Sequence, residues 1–399
     1  MRVHPGVLAL LTGLVFAVGP ATVDLTLPAM PAIQRAIGTA AVRVELTLTL
    51  LLAALALGQL MFGAIVDRYG RRSPFLISLA AYCAASLGAA LAPGILTFTL
   101  ARIVQAFGFG VAAVLIRCAV TDVCDERGTA RIFSVAVTMV SIASVVAPTV
   151  GGQLAAHFGW RAVFVAAAAF SLLTWAVAAV FLPETLPRER RATAGLLRVL
   201  GTYWGLLRSA RFTVPAVIGA SAAAYQFTYN TGGPSAVIEH YAVSPATAGM
   251  LFSLIALSTA CASQVNALVL RWRAPEQITS AAVWVSVAAS GALLLSVFTG
   301  AGGVAGLIGS LFILIATLGF IMGNTMAVAI SSAGAQAGAA SALVGVMQFL
   351  WGTVASAPVS LFHDPSGRLM GAVIGLLSLG AVVACLFGRS VRLAAAGTS

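Results

Sequence analysis

The dominant feature of the chain is a series of long apolar runs separated by short polar turns. A helix needs about 20 mostly apolar residues to cross a bilayer, and twelve stretches of the chain meet that requirement. Charged residues make up 8% of the chain, against about 25% in a soluble domain. The sequence therefore predicts an all-α integral membrane protein with twelve transmembrane helices. The expected spans are 7–30, 44–66, 74–92, 95–116, 131–155, 161–182, 212–234, 245–270, 277–299, 303–329, 337–361 and 368–388.

The positive charges of the chain are arginines, and their placement predicts an orientation. Seventeen of the 22 lie on the same side of the expected spans as both termini, four lie on the other side, and Arg102 lies within the fourth span. Because basic residues accumulate in cytoplasmic loops, we expect a multi-pass protein of the inner (cytoplasmic) membrane with both termini cytoplasmic. Short basic clusters between apolar runs favour anionic lipid as a partner over nucleic acid.

The longest polar stretch, residues 183–211, lies near the midpoint of the chain. Apolar residues recur in it at helical spacing, which predicts an amphipathic helix on the inner membrane surface. We expect this linker to separate an N-terminal six-helix bundle, residues 1–182, from a C-terminal six-helix bundle, residues 212–399. The two bundles are expected to be pseudo-symmetric and the protein to be a monomer. The apolar face comprises Leu196, Leu197, Leu200, Tyr203, Trp204 and Leu207.

The sequence gives no support for an enzyme or an ATPase. The four histidines lie far apart, the five cysteines have no metal-ligand spacing, and no Gly-Lys-Ser nucleotide loop is present. We therefore expect no catalytic residue, no metal and no cofactor, with a proton gradient as the energy source. The cysteines are Cys83, Cys118, Cys124, Cys261 and Cys385.

Away from the ends of the expected spans, two charged residues fall inside spans of the first half, Asp24 and Arg102. A charge within a span costs several kcal/mol unless it is paired or hydrated, so both are functional candidates. Low-dielectric surroundings favour the neutral form of a carboxyl group, and we therefore expect Asp24 to exchange a proton. Two structural alternatives remain open. Asp24 is also compatible with a surface acid in a turn before Pro28, and Arg102 with a side chain that reaches the outer interface.

The loop after the second span carries a specific motif, Gly63-x-x-x-Asp67-Arg68-x-Gly70-Arg71-Arg72. This motif resembles the signature loop of the major facilitator superfamily. The resemblance implies that the loop stabilises the outward-facing state of a transporter, and that Asp122 completes its charge network. The alternative is a basic loop that only sets the membrane topology.

Two further elements resemble the same superfamily. Arg102-x-x-Gln105-Ala106-x-Gly108 resembles its fourth-helix element, which implies a role for Arg102 and Gln105 in coupling protons to substrate. The fifth span resembles the element associated with antiporters, in which a proline kinks the helix and glycines allow close helix contact; ordinary small-residue packing is the alternative. That element is Ala147-Pro148-x-x-Gly151-Gly152.

Other stretches narrow the resemblance to the Bcr/CflA subfamily of twelve-helix drug:proton antiporters. They are Asp24-Leu25-Thr26-Leu27-Pro28, Gly58-Gln59 and Pro183-Glu184-Thr185-Leu186. In that subfamily an acid at the position of Asp24 takes part in proton and drug coupling. Polar residues of the second half are candidates for lining a central cavity, although an interhelical hydrogen bond without a ligand role is an equally good interpretation of each. These candidates are Tyr225, Gln226, Tyr229, Asn230, Asn266, Asn324 and Gln348.

The sequence as a whole therefore predicts a secondary active transporter. We expect it to export small amphipathic compounds or drugs in exchange for protons, by alternating access. The alternative is a proton-coupled exporter of an endogenous metabolite or biosynthetic product; the fifth-helix element disfavours a symporter. Nothing in a single sequence identifies the substrate.

Overall fold

The computed structural model describes residues 5–186 and 196–396, and every regular element in those ranges is helical. Within them the side chains of residues 5, 62–69, 126, 127, 130, 196–200, 335, 389 and 391–396 are not described. The α-helices are α1 (Pro5–Thr22), α2 (Met30–Ile37), α3 (Ala41–Tyr69), α4 (Arg72–Ala90), α5 (Ile95–Val123), α6 (Glu126–Phe158), α7 (Trp160–Phe181), α8 (Leu196–Leu207), α9 (Ala210–Pro234), α10 (Pro245–Val269), α11 (Pro275–Thr299), α12 (Gly303–Ser332), α13 (Ala337–Phe362) and α14 (Arg368–Ala396).

The chain forms two compact units. The first contains the described residues up to Leu196 together with Ser244–Ser253, which begin α10. The second contains Leu197–Val243 and the described residues from Leu254 onward. In the first unit, apolar side chains of α1, α4, α5 and α7 form a buried core around Phe75 and Leu115. In the second unit, α9 packs against α12, α13 and α14.

The first membrane span is interrupted, where the sequence predicted one continuous helix over residues 7–30. The helix α1 ends at Thr22, and a turn leads into a short 3₁₀ helix at Leu27–Ala29 before α2 begins. Pro28 and Pro31 explain the break, because neither has an N–H for an intrahelical bond. The N–H groups of Asp24 and Leu25 both donate to the carbonyl oxygen of Pro20, at 2.8 and 3.2 Å.

Eleven segments of the described chain are long and apolar enough to cross a membrane, with α1 and α2 counted as one. The helix α9 is too polar to meet that criterion, although its 25 residues span about 38 Å. Most of its polar residues, from Ser221 to Thr231, are buried within the second unit, where they need no lipid-compatible surface. With α9 included there are twelve spans, and the predicted all-helical membrane fold is confirmed.

The linker helix α8 lies within the predicted amphipathic stretch. Tyr203 and Leu206 are buried, whereas Trp204 and Leu207 are exposed. The predicted apolar face is therefore divided between a buried side and a solvent- or lipid-facing side. Leu196, Leu197 and Leu200, which belong to the same predicted face, have side chains outside the described residues.

Candidate functional site

The turn between α1 and α2 places Asp24 outside regular helix and half-buried in the first unit. Its carboxyl group shares a hydrogen bond with the hydroxyl of Ser144 on α6. Thr22 and Thr26, one on each side of it, are both buried. Asp24 therefore lies in a turn before Pro28, as its structural alternative predicted, but this turn packs among protein side chains.

Arg102 is 3% exposed and is held by neutral groups. Its Nη1 donates to Oε1 of Gln105 at 2.6 Å, and its Nη2 donates to Oγ1 of Thr26 at 3.4 Å. The guanidinium carbon lies 5.5 Å from the centre of the Phe164 ring, a cation–π distance. Because the two hydrogen-bond acceptors carry no charge, the positive charge of Arg102 is not neutralised by them.

A chain of hydrogen bonds continues from Gln105 to α4. Gln105 Nε2 donates to Ser86 Oγ at 2.8 Å, and that hydroxyl donates to the carbonyl of Tyr82 at 2.8 Å. The Tyr82 hydroxyl lies 2.8 Å from Thr22 Oγ1. Tyr82 and Ser86 share a helix face at a spacing of four residues. The network therefore contacts both ends of the turn that carries Asp24, Thr22 through Tyr82 and Thr26 through Arg102.

The helix α6 approaches the same turn at Gly151. A Cβ atom added to Gly151 would overlap the carbonyl oxygen of Leu25, the residue after Asp24. The backbone of α6 therefore packs directly on the backbone of the turn, as small residues allow.

The neighbouring glycine of α6, Gly152, faces the start of α10 within the first unit. A Cβ on Gly152 would lie 2.5 Å from the carbonyl oxygen of Pro245. Thr149 strengthens this contact, with its hydroxyl 2.7 Å from Ser253 Oγ. The predicted element, which also contains buried Ala147 and Pro148, therefore has one glycine against the Asp24 turn and the next against α10.

The signature loop brings residues from three regions together. Arg71 Nε lies 3.1 Å from Asp122 Oδ2, and the backbone N–H of Arg71 donates to Glu184 Oε1 at 2.8 Å. Gly70 has a φ of +83°, a value that residues with a side chain rarely adopt. Arg72 donates to the carbonyl oxygens of Leu182 and Ala179 at 2.8 and 2.7 Å. Gly63 lies in α3, and the side chains predicted for Asp67 and Arg68 lie outside the described residues.

The cavity candidates of the second half are largely bonded to one another. Asn266 and Asn324 exchange amide hydrogen bonds at 3.2 and 3.0 Å between α10 and α12. Tyr225 is fully buried, with its hydroxyl 2.7 Å from Thr317 Oγ1. Gln226 donates to Asn230 at 3.1 Å. Tyr229 is buried and Gln348 is half-buried.

Sequence reasoning missed several members of the first-unit site. The sequence analysis did not identify Tyr82, Ser86 or Ser144, because a single hydroxyl group in an apolar run is common. The four-residue spacing of Tyr82 and Ser86, which places both on one helix face, was the signal that could have identified this pair. Glu45 was also passed over, because it falls at the end of an expected span. The structure buries it to 3% exposure in the first turns of α3, so a carboxyl group besides that of Asp24 lies inside the described part of this unit.

Comparisons with known proteins agree on one family. Residues 10–356 match the family model of the Major Facilitator Superfamily. An uncharacterized MFS-type transporter of Bacillus subtilis is 32% identical over 383 residues, 93% of this chain and 94% of the relative. The chloramphenicol resistance protein of Pseudomonas aeruginosa is 29% identical over 258 residues, 63% of this chain and 59% of the relative. The bicyclomycin resistance protein homolog of Haemophilus influenzae is 25% identical over 387 residues, 96% of each chain.

Solved structures show the same fold at low sequence identity. A D-xylose–proton symporter has a TM-score of 0.76 and 17% identity, covering 96% of this chain and 95% of its own. A peptide transporter in complex with sulfate has a TM-score of 0.77 and 14% identity, covering 98% of this chain and 94% of its own. At such identities the likeness concerns the fold alone.

Proposed function

Because the chain belongs to the Major Facilitator Superfamily, we propose that this membrane transporter exports small amphipathic compounds or drugs in exchange for protons, by alternating access. That it is a transporter and not an enzyme follows from the family. The direction of transport and the class of substrate are proposed from the relatives named for resistance to chloramphenicol and bicyclomycin.

The observation that carries the proton coupling is the position of Asp24. A carboxyl group that is half-buried in a break of a membrane helix can gain and lose a proton without disrupting a helix. The hydrogen bond between Asp24 and Ser144 responds to that change. The ionised carboxylate only accepts from the hydroxyl, whereas the protonated form also donates to it.

The contacts around the turn offer a route from protonation to helix movement. Gly151 of α6 packs on the carbonyl of Leu25, and Ser144 lies about two turns earlier on the same helix. A change in the Asp24–Ser144 bond therefore acts on a helix that already contacts the turn. Arg102, bonded to Thr26 on the other side, places a positive charge on the side chains that hold the turn. Proton and substrate would each bias one of two facing states.

The proposal is tested with purified protein in liposomes under an imposed pH gradient. Chloramphenicol and a lipophilic cation serve as probes, and accumulation is measured with and without the gradient. We expect the wild type to couple accumulation to the gradient and Asp24→Asn to lose the coupling while still binding the probe. Glu239→Gln is the matched control. This variant makes the same acid-to-amide change in the second unit, where Glu239 Oε2 lies 3.4 Å from Nε2 of His363.

Each result has a definite meaning for the proposal. Gradient-driven accumulation by a well-folded Asp24→Asn protein would contradict the assignment of Asp24, and Glu45→Gln would then be tested in the same assay. Coupled transport of cellular metabolites, with neither probe moved, would favour the metabolite exporter. Accumulation of the probe on the side toward which protons flow would identify a symporter and contradict export by exchange.

A further inference from the structure

The second unit contains two pairs of amide side chains that are bonded in different ways. Asn266 and Asn324 exchange hydrogen bonds between α10 and α12, at 3.2 and 3.0 Å. Gln226 and Asn230 bond within one helix, where Gln226 Nε2 donates to Asn230 Oδ1 at 3.1 Å. The sequence left open whether such residues join helices or bind a ligand. The first pair joins two helices, whereas the second pair does not.

The bond within α9 uses only part of the hydrogen-bonding capacity of its two amides. A side-chain amide has two N–H donors and an oxygen with two lone pairs. Among the contacts of the described residues, the side chains of Gln226 and Asn230 make this one hydrogen bond. Gln226 Oε1 therefore remains as an acceptor, and Asn230 Nδ2 remains as a donor.

Both amides face the groove that α9 forms with α12 and α13. The Tyr225 hydroxyl lies 2.7 Å from Thr317 Oγ1 on α12, and the centre of the Phe227 ring lies 5.5 Å from that of an aromatic ring on α13. Because successive side chains of a helix are about 100° apart, Gln226 points between these two contacts. Asn230 follows one turn later on the same face.

A third amide, that of Gln348, borders the same groove from α13. Gly352 lies four residues later on the same face of α13, and a Cβ atom added to it would overlap the ring of Phe227. Gln348 is half-buried, and its side chain makes no hydrogen bond within the part of the chain that the structure describes. Three amides with unused donors or acceptors therefore border one groove.

The groove offers hydrogen bonds without charge. Residues 212–234 of α9, and the whole of α12 and α13, contain no Asp, Glu, Lys, Arg or His. Asn230 is 2% exposed, and burying an amide group without a hydrogen-bond partner is unfavourable. A neutral ligand group that both donates and accepts would satisfy the amides that the fold leaves unused.

We propose that Gln226 and Asn230 bind a neutral amide group of the exported compound, an inference that rests on the proposed function and names its substrate class. The N–H of the ligand amide donates to Gln226 Oε1, and its carbonyl oxygen accepts from Asn230 Nδ2. An amide fits because it presents a donor and an acceptor side by side with no charge. A site built to hydrogen-bond such a group disfavours an analogue that lacks it.

The test measures equilibrium binding to purified protein in detergent, so that it does not depend on a pH gradient. The probes are chloramphenicol, which carries an amide, its ester analogue, in which oxygen replaces the amide N–H, and tetraphenylphosphonium, which has no hydrogen-bonding group. The variants are Gln226→Leu and Asn230→Leu. The matched control is Thr228→Val, which removes a hydroxyl of α9 that already donates to the carbonyl oxygen of Ala224 at 2.8 Å.

We expect the wild type to bind chloramphenicol about tenfold more tightly than the ester, which is the effect of one hydrogen bond. Gln226→Leu should weaken chloramphenicol binding by a similar factor and abolish the preference over the ester. Asn230→Leu should weaken both neutral probes, because both carry the carbonyl group. Binding of tetraphenylphosphonium should be unchanged in both variants, and Thr228→Val should bind all three probes as the wild type does.

Several results would overturn the proposal. Equal affinity of the wild type for chloramphenicol and the ester would do so even if neither leucine variant folds. Equal weakening of tetraphenylphosphonium, or an equal loss in Thr228→Val, would also do so, because the effect would then be one of packing.

The amide site and proton-coupled export can fail separately. Gradient-driven transport of the cation without measurable binding of chloramphenicol would contradict the amide site and leave export by exchange in place. Selective binding of the amide probe without gradient-driven transport would support the amide site and contradict export by exchange.

Discussion

Replacing one asparagine of the buried pair Asn266 and Asn324 should destabilise the protein more than replacing both. Each amide donates to the other, at 3.2 and 3.0 Å, and the residues are 7% and 3% exposed. Leucine has a similar volume to asparagine, so Asn266→Leu and Asn324→Leu change the polarity of the contact with little change in packing.

The loss of unfolding free energy in each variant depends on whether a buried amide is left without a hydrogen-bond partner. A hydrogen bond between membrane helices contributes about 0.6 kcal/mol on average and about 1.7 kcal/mol at most, so the two bonds of the intact pair contribute about 1–3 kcal/mol. A single leucine removes both bonds and leaves one buried amide without its partner, which costs about 1–3 kcal/mol. The double variant buries no unpaired amide. We therefore expect it to be less destabilised than either single variant.

The assay is a double-mutant cycle of unfolding free energies, measured by titration with dodecyl sulfate in mixed micelles. Losses in the double variant that equal the sum of the single losses would refute the reasoning, because independent residues would then be involved. Transport by the double variant separates the two interpretations that the sequence left open. A stable double variant that still transports identifies the pair as a link between α10 and α12. One that is stable and inactive indicates a ligand role.

Two further predictions concern a backbone contact and a loop. Gly151→Ala should lose about 1–3 kcal/mol of stability, because the added methyl group would meet the carbonyl oxygen of Leu25. The control is Gly88→Ala, where the added methyl group has an ordinary contact at 3.8 Å, and it should be neutral or gain up to about 1 kcal/mol. Both are measured by thermal unfolding, and equal losses in the two variants would contradict the reasoning. Burial alone would raise the pKa of Asp364, but hydrogen bonds, including one from the N–H of Leu369, hold it below the ordinary 3.8. The charged form therefore stabilises the fold above about pH 4, and this contribution is lost as the pH falls through the lowered pKa. The difference in unfolding temperature between wild type and Asp364→Asn should accordingly be present at pH 7 and shrink in acid; a constant difference would contradict it.

The family and the membrane fold were predictable because they depend on local properties of the chain. A run of about 20 apolar residues predicts a spanning helix wherever it occurs, and the signature loop is contiguous in sequence. That reasoning identified the span at 212–234, but it did not show that polar residues of this helix, including Thr228 and Asn230, are buried. It also missed the break after Thr22, because the effect of Pro28 and Pro31 on the helix extends back to Asp24.

The partners of the functional residues depended on tertiary structure. Tyr82 meets Thr22 across 60 residues, and Arg71 meets Asp122 across 51. The sequence identified Asp24 and Arg102 as costly charges in a membrane, but it did not connect them to Ser144 and Thr26.

What the sequence by itself determined was the number of spans, the helical class and the family, because hydropathy and contiguous motifs act over one helix at a time. Only the tertiary structure decided which polar groups meet, where α6 contacts the turn of Asp24, and which amides of the second unit pair across helices. Each of these depends on the distance between side chains from helices far apart in sequence, and that distance is set by the packing of the whole bundle.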